Sequence, residues 1–347
     1  MIQAVLIWLF QVFCVAAMPI LAYQFFVNGL YVGAALYAGL SLLFFYSFAA
    51  SIIACPAMWQ AASLIKAQRH RQAESILVSV LQLWKRMPCR KDWTFYTLQS
   101  NLALTYMASG QYHKAENLYG EIIEHIEKNT NQARHPLAAV YLNNLAMVYL
   151  HQGEFIGAEK LANRALEIWS AAKPSEQAGR AYPLANLLEV HLSNDDLEAC
   201  ERDADLGLLL STQEQQPIYI IPESRIGVYV QCLLYKAIVC FRQGRLEEAK
   251  QLSAAILNGH DQGLYPTFGY SIPGLNYLAC EFMAVGDNQN AERFLEMAYE
   301  ILKAHPFHGD GPLLIGTYET LLLATDRASE VADLKNWVRP CRLMLQG

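Results

Sequence analysis

The pattern of hydrophobic and polar positions divides the chain into an apolar N-terminal part and a longer amphipathic part. No Asp, Glu, Lys, Arg or His precedes Lys66. Two apolar runs, about 2–23 and 30–54, flank the short polar turn 24–29. Each run is about as long as one bilayer span, and two spans joined so closely form a hairpin. We therefore predict a two-span transmembrane hairpin within residues 1–57, in contact with the lipid bilayer.

The charges that follow this hairpin predict its orientation. Between Lys66 and Lys91 there are seven Lys or Arg residues and one Glu. Positive charge beside a membrane span stays in the cytoplasm. We therefore predict an integral membrane protein whose N-terminus and C-terminal domain are both cytoplasmic. A cleaved signal peptide over residues 1–17 is the alternative, but this segment lacks the basic start that such peptides have.

Beyond residue 58, apolar positions recur at helical spacing in segments about 42 residues long. In the segment from Asn101, Leu102 and Tyr106 lie on one stripe of a first helix. Gly110 then ends that helix, and Ala115 lies on the packing stripe of a second. The six segments begin at Trp59, Asn101, Asn144, Asn186, Tyr235 and Tyr277. This pattern predicts an array of helix pairs over residues 58–347.

The later copies keep this pattern with substitutions. The fourth has Asp195 where the second, third, fifth and sixth have Gly, and Cys200 where the others have Ala. After about residue 306 the pattern fades, and we predict a pair of capping helices there. Dividing the domain by the period gives about six to seven helix pairs, more than the three that a stable array needs.

The sequence Leu-Ala-x-x-Tyr-x-x-x-Gly-x-(Tyr/Phe)-x-x-Ala, at 102–115 and 145–158, resembles the tetratricopeptide repeat. The period near 42, with Asn before Leu-Ala, is similar to the kinesin-light-chain type of that repeat. The resemblance implies an all-α, right-handed solenoid. HEAT, armadillo and propeller repeats have comparable periods. The turn Gly followed by Ala favours tetratricopeptide over HEAT repeats, and the helix-forming composition argues against a propeller.

The resemblance also implies a concave groove along the first helices, on the face opposite their packing stripe. Family members hold peptide backbones there with Asn, and a carboxamide both donates and accepts hydrogen bonds. Tyr adds apolar area with a polar tip. The alternative is that these Asn residues only hold the stacked helices in register. The candidate groove residues are Asn101, Leu104, Asn144, Met147, His151, Tyr182, Asn186, Tyr235, Arg242 and Tyr277.

Charge and motifs exclude several classes of chemistry. The net charge of −6 argues against binding to nucleic acid. The eight Cys residues form no CxxC pair, which argues against a zinc site of that type. Arg242 is the one cation on the groove face, which argues against a strongly acidic ligand. His305, His308 and Asp310 carry metal-ligand side chains, but a loop alone lacks the scaffold that a metal site needs. We predict no metal, no cofactor and no small-molecule substrate.

These observations predict a membrane-anchored scaffold or adaptor that binds a protein or an extended peptide in its groove, and that is not an enzyme. One alternative is a structural subunit of a membrane complex that uses its convex or edge surfaces. An alternative of another class is a membrane enzyme, which the absence of ionisable groups from both apolar runs argues against. The sequence does not indicate an oligomeric state.

Overall fold

A computed structural model describes residues 20, 23, 24, 27, 54, 56–65, 67–85, 93–128, 133–213, 222–265, 271–306 and 308–335 of the protein. All regular structure within these residues is helical. The helices are α1 (His70–Trp84), α2 (Trp93–Ala108), α3 (Tyr112–Glu127), α4 (Pro136–His151), α5 (Phe155–Ser170), α6 (Ala181–Ser193), α7 (Leu197–Ser211), α8 (Pro222–Arg242), α9 (Leu246–Asp261), α10 (Ile272–Ala284), α11 (Asn288–Ala304) and α12 (Gly311–Ala324). A 3₁₀ helix, Pro174–Arg180, precedes α6, and residues 56–65 and 328–335 are also helical.

The all-α helical repeat is confirmed, but the fold class that we predicted is wrong in its transmembrane part. Among the residues that the structure describes, no helix is both long enough and apolar enough to cross a membrane. The longest, α8, has 21 residues but contains Glu223, Arg225, Lys236 and Arg242. Most of the predicted spans, about 2–23 and 30–54, lie outside the described residues. The predicted localisation as an integral membrane protein, with its cytoplasmic orientation, is therefore also unsupported.

The chain divides into two compact units, Met1–Leu102 and Ala103–Gly347. In the first unit, α1 buries one face, formed by Ala73, Leu77, Leu81 and Trp84. In the second unit, the first helices α4, α6, α8, α10 and α12 contact one another in order. Each of α4, α6, α8 and α10 also packs against the helix that follows it. This nearest-neighbour stacking is the architecture of repeat proteins. The predicted domain boundary between residues 57 and 58 stays a prediction.

A residue with a left-handed backbone ends the first helix of each pair. The φ angle is 74° at Gly110, 76° at Gly153, 78° at Gly244 and 79° at Gly286. It is 58° at each of Gln68, Asp195 and Asp326. At each of these turns, the backbone N–H of the following residue donates a hydrogen bond to the carbonyl oxygen five residues earlier. The Gln111 N–H, for example, donates to the Tyr106 carbonyl oxygen at 2.8 Å. All six predicted turns are confirmed, and Asp326 adds a seventh that the fading sequence pattern did not predict.

The small residue five positions after each turn packs between the paired helices. At the six predicted turns these residues have no exposed surface: Ala73, Ala115, Ala158, Cys200, Ala249 and Ala291. Cys200 fits in place of Ala because its Sγ donates to the Leu188 carbonyl oxygen at 3.6 Å. After the seventh turn the larger Val331 takes this position and stays 9% exposed. The spacing predicted from the sequence is thus the spacing at which two helix axes approach closely.

Candidate functional site

The connection between α11 and α12 packs against the ends of α3 and α4. We call residues 305–310 the strap, of which residue 307 lies outside the described residues. The ring of His308 lies edge-on to that of His151, with 4.5 Å between centroids. A Cβ placed on Gly309 would lie 2.6 Å from the His151 carbonyl oxygen. The backbone of Gly309 also hydrogen-bonds with the Tyr112 hydroxyl. The last repeats therefore reach the side chains at the end of α4.

Three metal-ligand side chains meet where the strap contacts α4. One ligand atom each from His151, His308 and Asp310 lies within 4.8 Å of the other two. His308 Nδ1 is 3.3 Å from an Asp310 carboxylate oxygen, and it also accepts the Asp310 backbone N–H at 3.3 Å. The His308 side chain is only 5% exposed. Its Nε2 atom is buried and has no hydrogen-bond partner within the described residues.

Burial shifts the ionisation of the groups around the strap. It lowers the pKa of His151 to about 3, with a further contribution from His308, so the imidazole is neutral at pH 7. Burial alone would raise the pKa of Asp310, but His308 and His151 outweigh this effect and lower it. On α6, burial and the charge of Asp310 raise the pKa of Glu189 to about 8. The site therefore contains an ionised Asp310 carboxylate beside the neutral imidazole of His151.

The three Asn residues of the predicted groove lie in different environments. Asn186 is 7% exposed, and its amide donates to both the backbone and the side-chain oxygen of Asn143, at 3.1 and 3.0 Å. This contact joins α6 to α4 and favours the register interpretation for that residue. Asn144 is half-buried and takes no part in this bond. Asn101, in the first unit, donates to the Thr97 carbonyl oxygen at 2.8 Å.

Because these contacts differ, mutation can distinguish the structural Asn186 from the candidate binding residue Asn144. We expect Asn186→Ala to lower the free energy of unfolding by about 1–2 kcal/mol, because it removes both bonds to Asn143 and leaves the half-buried Asn143 side-chain oxygen without this donor. Asn144→Ala removes no such bond and should leave the free energy of unfolding within about 0.5 kcal/mol of the wild-type value. Denaturant titration monitored by circular dichroism measures both. Equal losses for the two variants would contradict the assignment.

The predicted tyrosines lie deeper than a binding surface requires. Tyr235 is fully buried and its ring lies 3.2 Å from the position of a Cβ on Gly274. The hydroxyls of Tyr235 and Tyr182 are buried and have no hydrogen-bond partner in the described part of the chain. Tyr277 is half-buried, and burial raises its pKa to about 12, so its hydroxyl is neutral. Tyr277 and Tyr182 are therefore both partly accessible, whereas Tyr235 is not.

Arg242 is engaged in ion pairs. Its guanidinium is 2.9 Å from Glu281 and 3.7 Å from Asp195, and it shares a small cleft of about 320 Å³ with Asp195 and Tyr277. Leu104 and Met147 are half-buried. Among the predicted residues, His151 is the one that the structure places in the metal-ligand cluster. In the sequence, His308 and Asp310 are grouped with His305, and no local signal indicates that they meet His151.

A cleft opens beside the strap at the end of α4. Its volume is about 700 Å³, and its lining includes Tyr112, His113, Glu116, Tyr149 and Glu154. Burial raises the pKa of Tyr149. The charge of Glu116 raises it further, and the Tyr149 hydroxyl donates a hydrogen bond to Glu116. No Lys or Arg is found among the described residues that line the cleft. The cleft therefore presents hydrogen-bond acceptors and negative charge to a ligand.

The buried cysteines are not activated for nucleophilic chemistry. Burial raises the pKa of Cys200 to about 12 and that of Cys240 to about 11. A nucleophilic cysteine needs the opposite shift, because the thiolate is the reactive form. These side chains fill space between helices.

Comparisons with known proteins agree with the repeat architecture. A tetratricopeptide repeat model matches residues 94–198 and a second tetratricopeptide repeat model matches residues 230–255. A search of curated proteins finds no match. The structure of a Rap protein complexed with competence and sporulation factor has a TM-score of 0.56 at 16% identity, covering 84% of this chain and 77% of that one.

Two further solved structures have lower scores. BtubC (BKLC) from P. vanneervenii has a TM-score of 0.49 at 18% identity, covering 73% of this chain and 92% of that one. A Podosopora anserina kinesin light chain with nearly identical TPR-like repeats has a TM-score of 0.46 at 17% identity, covering 58% and 92% respectively. The matched segments and the recurring helix pairs lead to one conclusion: this chain carries tetratricopeptide repeats.

Proposed function

We propose that the protein is a scaffold that binds an extended peptide, or an exposed segment of a partner protein, beside the strap. The observation that carries this proposal is the strap itself. The ends of α3 and α4 already receive an irregular segment of the chain, through the main chain of Gly309 and the ring of His308. A surface that accommodates one such segment has the shape and the hydrogen-bonding groups to bind another.

The cleft beside the strap indicates the chemistry of the bound segment. Glu116 and Glu154 line it without a cation among the described lining residues. Gln152 supports Glu116, donating to its carboxylate at 3.4 Å. Tyr149 and Tyr112 add aromatic surface. A segment that carries Lys or Arg next to an apolar side chain fits this lining best.

The comparisons support a binding role in a limited way. The Rap structure, which shares the fold, contains competence and sporulation factor. That ligand belongs to Rap, and the identity of 16% carries over the fold alone. The absence of catalytic activity stays a prediction, consistent with the raised pKa values of Cys200 and Cys240.

A second candidate role is that of a structural subunit with a permanent interface. A shallow surface between α10 and α12 is lined by Met283, Ala284, Pro312 and Leu313, with Leu313 50% exposed. Apolar side chains grouped in this way are typical of protein contacts. Co-purification distinguishes the two roles, because a permanent subunit keeps its partner at fixed stoichiometry on dilution.

The charge of the cleft gives the test of the peptide-binding role. We expect the full-length protein to prefer Lys- or Arg-containing peptides over matched neutral and acidic sets in fluorescence anisotropy. The double change Glu116→Gln with Glu154→Gln should weaken binding about tenfold or more, since bonds to charged groups contribute about 1.5–3 kcal/mol each. Glu247→Gln, at an exposed carboxylate on α9, is the control and should change nothing. A preference for acidic peptides, or unchanged binding by the double variant, would contradict the proposal.

A further inference from the structure

The His151, His308 and Asp310 cluster contains more ligand chemistry than hydrogen bonding uses. If the proton of His308 sits on Nδ1, that atom can no longer accept the Asp310 backbone N–H, and Nε2 presents a lone pair without a donor among the described residues. If the proton sits on Nε2, Nδ1 accepts the Asp310 backbone N–H, but the buried Nε2–H has no acceptor among the described residues. Neither tautomer satisfies the site with protein groups alone, which is costly at a side chain only 5% exposed.

We propose that His151, His308 and Asp310 bind a transition-metal ion, Zn²⁺ in the first instance, and that this ion fastens the strap to α4. Two imidazoles and a carboxylate form a donor set that Zn²⁺ takes with three protein ligands, leaving a fourth position for water or another donor. The three ligand atoms already lie within 4.8 Å of one another. Zinc–ligand bonds are about 2.0–2.2 Å long, so a shift of about 1 Å or less per side chain closes the site.

The fold supplies the scaffold that the loop sequence lacks. His151 is the last residue of α4, a helix that packs against α3, α5 and α6. It therefore brings a fixed ligand to the strap, while His308 and Asp310 come from a segment held at Gly309. His305, the residue that the sequence pairs with His308, is not in the cluster. The ion would join side chains that are far apart in sequence, so binding would stabilise the contact between the strap and α4.

The metal site shares His151 with the lining of the cleft, but its test uses no peptide, so the two proposals can fail separately. Full-length protein stripped with a chelator is titrated with Zn²⁺ by calorimetry, and with Co²⁺ to record the visible spectrum of the bound ion. We expect one ion per chain, a higher melting temperature with Zn²⁺, and a Co²⁺ spectrum typical of a four-coordinate site. His151→Gln, His308→Gln and Asp310→Asn should each weaken binding at least tenfold, since each removes a ligand. His305→Ala, in the same strap but outside the cluster, is the matched control.

Asp310→Asn and His151→Gln keep the size of the side chain, and circular dichroism identifies variants that remain folded. A folded variant that loses the Co²⁺ spectrum supports the site. The proposal is overturned if wild-type protein shows no saturable binding of Zn²⁺ at concentrations up to about 100 μM. A site with three protein ligands should have a dissociation constant below that concentration. It is equally overturned if the three ligand variants bind as tightly as wild type, or if His305→Ala abolishes binding while they do not.

Discussion

Gly309→Ala is expected to release the strap and to lower the free energy of unfolding by about 2–3 kcal/mol. The added Cβ would lie 2.6 Å from the His151 carbonyl oxygen, well inside van der Waals contact. The neighbour is backbone at the end of α4, which cannot rotate away as a flexible side chain does, so the strap must move. That movement would break the bond between the Gly309 backbone and Tyr112 and would expose the His308 ring, which is now 5% exposed. Denaturant titration measures the loss, and hydrogen exchange at residues 308–310 should rise.

Gly316→Ala is the matched control for this change. Gly316 lies on α12, immediately after the strap, and a Cβ there would meet nothing within 4 Å. Ala has the higher helix propensity, by about 1 kcal/mol, so this variant should be equally stable or more stable. The two Gly→Ala changes are therefore expected to have opposite signs. Wild-type stability and exchange in the Gly309→Ala protein would show that the strap does not rest on α4.

The repeat itself could be predicted because its determinants are local. A left-handed residue at Gly110 or Gly153 needs only the helix that it ends, and a small residue five positions later needs only the paired helix. The Asp195 turn was found because the neighbouring pattern fixed its place, although Asp takes positive φ less readily than Gly. Asp326 was missed because the sequence around it keeps the turn but loses the Leu-Ala pattern before it.

The candidate site could be predicted only in pieces. His151 followed from its place on the first-helix face, and His308 with Asp310 from their spacing, but nothing local links α4 to the strap. The groove residues were chosen by helical spacing, which gives the face of a helix and not the depth of the side chain. Tyr235 is therefore a core residue, and the Asn186 side chain is hydrogen-bonded to Asn143. The predicted transmembrane hairpin came from hydropathy in a part of the chain that mostly lies outside the described residues.

Glu189 makes the stability of the protein depend on pH in the direction opposite to that of most carboxylates. It lies on α6 and is 8% exposed. Burial and the charge of Asp310 raise its pKa to about 8. Tyr235 and Tyr277 also face it, and burial keeps both hydroxyls neutral. Between pH 4.5 and 8 the folded protein therefore holds a proton that the unfolded chain has lost. This contribution to stability is fully present below the unfolded pKa and falls as pH rises toward the folded one.

Glu189→Gln is expected to remove this dependence, because Gln stays neutral at all pH values and keeps the size of the side chain. At pH 8, where the folded carboxyl is half ionised, the variant should be more stable than wild type by about 4 kcal/mol, since each unit of pKa shift corresponds to about 1.4 kcal/mol. At pH 5 the difference should shrink to about 1 kcal/mol or less, because pH 5 lies only about half a unit above the pKa of the unfolded chain. Urea titrations of both proteins from pH 5 to 8, with a chelator present to exclude metal effects, measure the difference. Glu121→Gln, at an exposed position on α3, should follow the wild-type profile. A constant difference between Glu189→Gln and wild type across this range would mean that Glu189 is ionised in the folded protein, and would contradict the raised pKa.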